Sequence, residues 1–269
     1  MNNLVLRGLT GAIFVTLIIG SIWFSSYAML IVFSLFLVLG LREFFLLFKT
    51  HASVRVNWMV SIILPVSVFV ILAGIIYRVL PDPVFSLLFP LLMLYMLTEL
   101  WRKKEQPLLN IGVTMLSIVY LVLPFFLMLL IEHKAAYLLT GMFILIWSND
   151  TFAYLSGRML GKTQLFPRIS PNKTWEGTVG GIVLTIAASL LIARFMDPWH
   201  DYTFWMIAAV IIAPCAIFGD LLESLFKRSL NIKDSGNILP GHGGILDRFD
   251  AALFAAPFFY CFCMIYRYF

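Results

Sequence analysis

The chain has 269 residues, 61% of them hydrophobic and 12% charged, about half the charged fraction of an ordinary soluble domain. That composition excludes a soluble globular enzyme and predicts an all-α polytopic integral membrane protein, with no soluble domain left once the apolar runs are removed. The net charge of +5 does not indicate nucleic acid, because in a membrane protein the placement of the bases says more than their sum.

Apolar runs of about 20 residues, long enough to cross a bilayer as helices, predict nine transmembrane helices near residues 4–24, 27–41, 58–77, 83–99, 109–131, 135–156, 175–194, 203–226 and 249–266. Arg7 and the apolar run after it imitate a signal peptide, with Ser26-Tyr27-Ala28 at a cleavage-like spacing. A second apolar run follows at once, so the first helix is expected to stay. Alternating sides with this helix count gathers 15 of the 19 Lys and Arg residues on one side, leaving Arg78, Lys134, Arg194 and Arg267 on the other. The positive-inside rule then puts the amino terminus in the cytoplasm and the carboxyl terminus outside. An eight-helix or ten-helix count would spoil that asymmetry. The long polar loops fall on the cytoplasmic side, where the chemistry is expected.

Residues 1–134 read as membrane-anchoring helices. Trp23, Tyr27, Trp58, Tyr77 and Trp101 lie near predicted helix ends, where amphipathic rings favour the interface. Arg42 and Glu43 read as a local pair at a helix end with a structural role. Residues 135–269 carry the polar chemistry, with cytoplasmic loops over 157–174 and 227–248. Asp150, beside Asn149, sits in an apolar helix, where a carboxylate costs about 2.5–3.5 kcal/mol on the insertion scale and needs compensation. Gly157 and Gly161 continue that helix at a spacing suited to close helix packing. The polar loop from Pro167 to Thr174 brings Arg168 and Lys173 to the start of the next helix. Ser170 or Thr174 can cap that helix, and its first amides favour a phosphate. On the far side, Asp197-Pro198-Trp199-His200-Asp201 reads as a wet interfacial loop rather than a metal site. Cys215, Cys261 and Cys263 lie in apolar runs with no metal-ligand spacing.

The densest polar stretch runs from Asp220 to Asp250. Asp220, Glu223, Ser224 and Lys227 form one helical stripe, and Asp247 and Asp250 start the last helix on one face. Between them Gly236, Gly241, Gly243 and Gly244 can bring backbone amides close to an anion. Carboxylates converging across such a loop repel unless protonated or bridged by a cation, and Mg²⁺ takes one or two carboxylates with substrate phosphate completing its shell.

Ser224, Phe226, Lys227, Arg228, Lys233, Asp234, Gly236, Leu239, Pro240, His242, Gly243, Gly244, Ile245, Asp247, Arg248, Phe249 and Asp250 fall in register with the signature of the phosphatidate cytidylyltransferases, or CDP-diacylglycerol synthases, which this chain resembles. The likeness extends upstream to Asn149-Asp150, Ala153-Tyr154 and Gly157, and to Ser170-Pro171, Lys173-Thr174 and Glu176-Gly177. Asn172 stands where many members carry Lys. Arg42-Glu43-Phe44 is similar to a short family element.

The resemblance implies transfer of the cytidylyl group of CTP to the phosphate of phosphatidate, a Mg²⁺ requirement, a second, monovalent cation such as K⁺, and a homodimer. On that reading Asp220 and Asp247 hold the metal, with Asp250 and Asp150 serving a second cation or a supporting shell. Lys173, Lys227, Arg228, Lys233 and Arg248 meet phosphates and His242 orients one, with Asn149, Arg168, Ser224, Gly243 and Gly244 completing the substrate site. Two other readings stay open: a cytidylyltransferase acting on another lipid phosphate, and an ion-coupled transporter using Asp150 and Asp220 as coupling acids.

Overall fold

The computed structural model describes residues 3–49, 54–232, 235–236 and 243–266. Lys233 and His242, both assigned to phosphates above, lie outside the described residues. Within them the chain is helical almost throughout. The helices are α1 Asn3–Phe24, α2 Ser26–Lys49, α3 Trp58–Ile76, α4 Leu88–Arg102, α5 Pro107–Lys134, α6 Ala136–Leu160, α7 Trp175–Phe195, α8 Tyr202–Ser229 and α9 Leu246–Ile265. A 3₁₀ turn at Asp82–Leu87 leads into α4, and a π-turn at Ile118–Val122 interrupts the α-helical pattern of α5. Eight of these segments are long and apolar enough to cross a membrane. The chain is therefore a polytopic all-α membrane protein.

The chain divides into two compact units. The first comprises residues 1–130 and 234–246, and the second residues 131–233 and 247–269.

In the first unit, Phe33 packs edge-on against Phe125 and Phe44 against Phe45. Asn57 caps α3 by accepting from the amides of Met59 and Val60. A buried polar network ties α3, α4 and α5 together. The Tyr95 hydroxyl donates to Thr114 Oγ1 at 2.6 Å, Asn110 Nδ2 donates to Glu99 Oε2 at 3.0 Å, and Arg102 pairs with Glu99. Tyr95, Glu99, Asn110 and Thr114 are buried with their partners in place, which is the condition for polar atoms inside a membrane helix bundle.

The expected end of the second helix at residue 41 is corrected: α2 continues to Lys49, so Arg42 and Glu43 lie within it. Arg42 is exposed while Glu43 is 1% exposed. The helix can carry Glu43 inward because its carboxylate accepts the Leu246 amide at 3.0 Å, a partner 203 residues away in sequence and invisible to a local reading.

In the second unit, α7 packs along both α6 and α8. The predicted polar loop before α7 proves to contain a hairpin. Gln164–Phe166 (β1) and Ser170–Thr174 (β2) pair antiparallel, with Gln164 opposite Thr174 and Phe166 opposite Ser170. Glu176 fixes its base by accepting from the amides of Lys162 and Thr163.

In the far-side loop Pro198, Trp199 and His200 are exposed as expected, and the correction concerns one residue. Asp197 is 2% exposed rather than wet, accepting from the amides of Trp199 and Asp201 and from Trp205 Nε1, at 3.0, 3.0 and 3.1 Å. Next to it Asp201 caps α8 through the Phe204 amide and accepts from the Tyr266 hydroxyl, tying the ends of α8 and α9 together.

Candidate active site

The glycines of α6 and α7 position the site. A Cβ on Gly177 would stand 2.8 Å from the Ala153 carbonyl oxygen and 2.9 Å from Gly157 Cα, and one on Gly181 would stand 2.8 Å from Ala153 Cβ. Only small residues permit this approach. Thr174 caps α7 by accepting from the Gly177 amide at 3.1 Å, so the hairpin enters the helix beside the end of α6.

These elements enclose a cavity of about 510 Å³, lined by the polar stretch of α6 from Asn149 to Arg158, by Ser170 to Thr174 of the hairpin, by the first turn of α7, and by Ile217 and Asp220 of α8. Its walls mix apolar and polar groups, as ligand sites do. Across it Lys173 Nζ lies 2.5 Å from Asp220 Oδ2, and Ser224 Oγ donates to Asp220 Oδ1 at 3.3 Å. Asn149 is fully buried at the wall, and neither its Oδ1 nor its Nδ2 has a hydrogen-bond partner among the described residues. Such a group costs about 1–3 kcal/mol left unsatisfied, and a bound ligand would remove that cost.

Behind Asp220 a second charged layer joins α8 to α9. Lys227 Nζ donates to Glu223 Oε2 at 3.2 Å and to Asp247 Oδ1 at 2.6 Å. Gly219 brings α9 close, since a Cβ there would stand 2.5 Å from the Asp250 carbonyl oxygen. The carboxylates of Asp150, Asp220 and Asp250 act on one another electrostatically, as does the Arg248 guanidinium on Asp150. One part of one unit thus draws together Asn149, Asp150, Lys173, Asp220, Ser224, Lys227, Asp247, Arg248 and Asp250.

Of the other expected site residues, two lie on exposed surface. Arg168 is exposed at the hairpin turn and does not line the cavity. Arg228 donates to the Ile232 carbonyl at 3.3 Å on an exposed surface. Gly243, at φ 82°, and Gly244 belong to the first unit, where Gly244 packs against Glu43. Tyr154, Arg158, Asn172 and Thr178 line the cavity without having been assigned a role, and Glu223 takes Lys227 without one. The i, i+4 spacing of Glu223 and Lys227 was the signal for that last contact.

The donor set fits a hard cation that arrives with a polyphosphate. Among the described residues it offers carboxylates, a hydroxyl and a carboxamide, without thiol or imidazole. Among the described residues no three His, Cys, Asp or Glu side chains gather to form a metal cage by themselves. Mg²⁺ habitually takes one or two carboxylates and leaves the rest of its shell to phosphate and water.

A family model described as the cytidylyltransferase family matches residues 5–266. Among curated relatives, the chain is 42% identical over 154 residues to the phosphatidate cytidylyltransferase of Bacillus subtilis, covering 56% of this chain and 57% of that protein. It is 47% identical over 115 residues to that of Staphylococcus epidermidis (43% and 44% covered) and 40% identical over 131 residues to that of Haemophilus influenzae (47% and 46% covered). The matched stretches span about half the length of these relatives.

Proposed function

The chain belongs to the cytidylyltransferase family, and we propose that it transfers the cytidylyl group of CTP to the phosphate of phosphatidate, giving CDP-diacylglycerol and pyrophosphate. The observation that carries this reading is the cavity in which Lys173 and Asp220 meet beside Asp150 and the unsatisfied Asn149. Cations, carboxylates and a free carboxamide are what a nucleoside triphosphate and its counter-ion require.

The attacking group is a phosphate oxygen of the lipid, anionic at neutral pH, so no protein nucleophile and no covalent intermediate is needed. It forms a bond to the α-phosphorus of CTP as the bond from that phosphorus to the β-bridging oxygen breaks, and pyrophosphate leaves with the electron pair. Such a displacement depends on positioning and charge neutralisation. Lys173 and Arg248 are assigned to the phosphates, and Asn149 to the nucleotide. Lys227, held between Glu223 and Asp247, keeps the carboxylate layer in register. Asp220 and Asp247 would hold Mg²⁺, with Asp250 and Asp150 serving a second cation such as K⁺ or a supporting shell; bound there, Mg²⁺ would supply charge neutralisation of the polyphosphate.

The excess of Lys and Arg on one side supports an active site facing the cytoplasm, and the family likeness supports a homodimer. Purified protein should convert CTP and phosphatidate to CDP-diacylglycerol only when Mg²⁺ is present. Full activity in Asp247→Asn would remove Asp247 from the metal set. Activity that survives EDTA would overturn the mechanism.

A further inference from the structure

Glu43 stands outside everything assigned so far, yet it is a buried acid in an apolar helix, and such a residue needs a reason. Its Oε2 accepts from the backbone amide of Leu246, the first residue of α9, at 3.0 Å. An α-helix leaves its first amides without intrahelical partners, and a carboxylate there both satisfies the amide and complements the positive end of the helix. The same carboxylate fills the space beside two loop glycines. A Cβ on Gly236 would meet Glu43 Oε1 at 2.6 Å and its carboxyl carbon at 2.9 Å, and a Cβ on Gly244 would meet Glu43 Oε2 at 2.5 Å. All four residues belong to the first unit. The residues that follow Leu246 in the first turn of α9 are Asp247 and Arg248.

We infer that Glu43 is a positioning residue for the reaction: its buried carboxylate clamps the glycine loop at Gly236 and Gly244 and caps α9, fixing where the turn that carries Asp247 and Arg248 begins. This rests on the function proposed above for those two residues. It also gives the glycine at 236 a steric reason, since a Cβ there would meet Glu43, whereas one at 244 would meet Ser235 Oγ as well as Glu43.

The test uses full-length, detergent-purified, monodisperse protein carrying Glu43→Ala, Glu43→Gln, Gly236→Ala, or Glu43→Ala with Gly236→Ala. Hydrogen–deuterium exchange of peptides covering residues 243–250 is measured beside kcat and KM for CTP. Glu43→Ala is expected to speed exchange at those peptides selectively and to lower kcat per folded molecule by about tenfold, an ordinary coupling between contacting groups. Glu43→Gln, which keeps an acceptor oxygen, recovers most of both. Gly236→Ala alone is damaging but adds less than about twofold to Glu43→Ala, because the clashing partner is gone. Unchanged exchange around Leu246 in Glu43→Ala, kcat retained in the folded variant, or losses that simply multiply in the double variant would each overturn the inference. If the parent protein makes no CDP-diacylglycerol, the proposed function fails instead. The exchange data and a double-mutant cycle in thermal stability then still decide whether Glu43 is the clamp.

Discussion

Replacing Lys227 by methionine keeps the bulk of the side chain and removes a charge that Glu223 and Asp247 share. Lys227 is 12% exposed at its side chain, Glu223 2% and Asp247 14%, so water can rescue little of what is lost. Breaking a buried ion pair from one side costs about 3–5 kcal/mol, because the stranded charge stays desolvated. Glu223 and Asp247 both lose this cation, which puts the loss within that range. For a chain of this size each kcal/mol moves the unfolding midpoint by about 2–4 °C, so the expected drop is about 10 °C or more. Intrinsic tryptophan fluorescence of the purified protein during heating reads it. Adding Glu223→Gln to Lys227→Met replaces the more deeply buried carboxylate by a neutral group and should recover part of the drop, whereas Glu223→Gln alone leaves Lys227 with Asp247 and is milder. A Lys227→Met midpoint within about 2 °C of the parent, less than 1 kcal/mol, would refute the claim that this ion triad holds α8 to α9.

Asp220→Asn should barely change stability, since its pair with Lys173 is partly exposed and such pairs contribute about 1 kcal/mol or less, while CDP-diacylglycerol formation falls about a hundredfold or more. Retention of a tenth of parental turnover would contradict the assignment. Asn149→Leu removes two unsatisfied buried polar atoms, so the melting temperature should hold or rise while KM for CTP rises; lower stability with unchanged KM would show that the carboxamide serves the fold. Asp197→Ala deletes the acceptor of three hydrogen bonds and should lower stability by about 2–4 kcal/mol, with kcat per folded molecule unchanged. Loss of kcat in folded protein would mean that this far-side anchor reaches the chemistry.

The helices were legible because apolar length alone decides what can cross a bilayer, and α3, α7 and α8 fall close to their sequence-based positions. The end of α2 was misread for a physical reason. Arg42 and Glu43 resemble an interface, but Glu43 is satisfied by the Leu246 amide, and no local pattern carries that contact. The hairpin from Gln164 to Thr174 was hidden because Ser-Pro-Asn-Lys-Thr has the composition of a loop, and its pairing depends on Glu176 holding its base. Asp197 looked wet for the same reason, its three donors coming from backbone geometry and from Trp205. In the site, the stripe from Asp220 to Lys227 was readable from helical spacing. The meeting of Asp220 with Lys173, and of Lys227 with Asp247, required the packing of α7 and α9 against α8. Arg168 and Arg228, assigned from a loop position and from the family signature, lie on exposed surface, because neither a motif nor a loop position reports whether a base is solvated.

The central claim is tested most directly by following the two ends of CTP in one reaction. Purified protein is given phosphatidate vesicles, Mg²⁺ and CTP labelled either at the α-phosphorus or at the γ-phosphorus, and the lipid is extracted. The α label is expected to enter the lipid phase as CDP-diacylglycerol while the γ label stays in water as pyrophosphate, in equal amounts. An α label that stays in the aqueous phase, or lipid that takes up the γ label, would contradict the account.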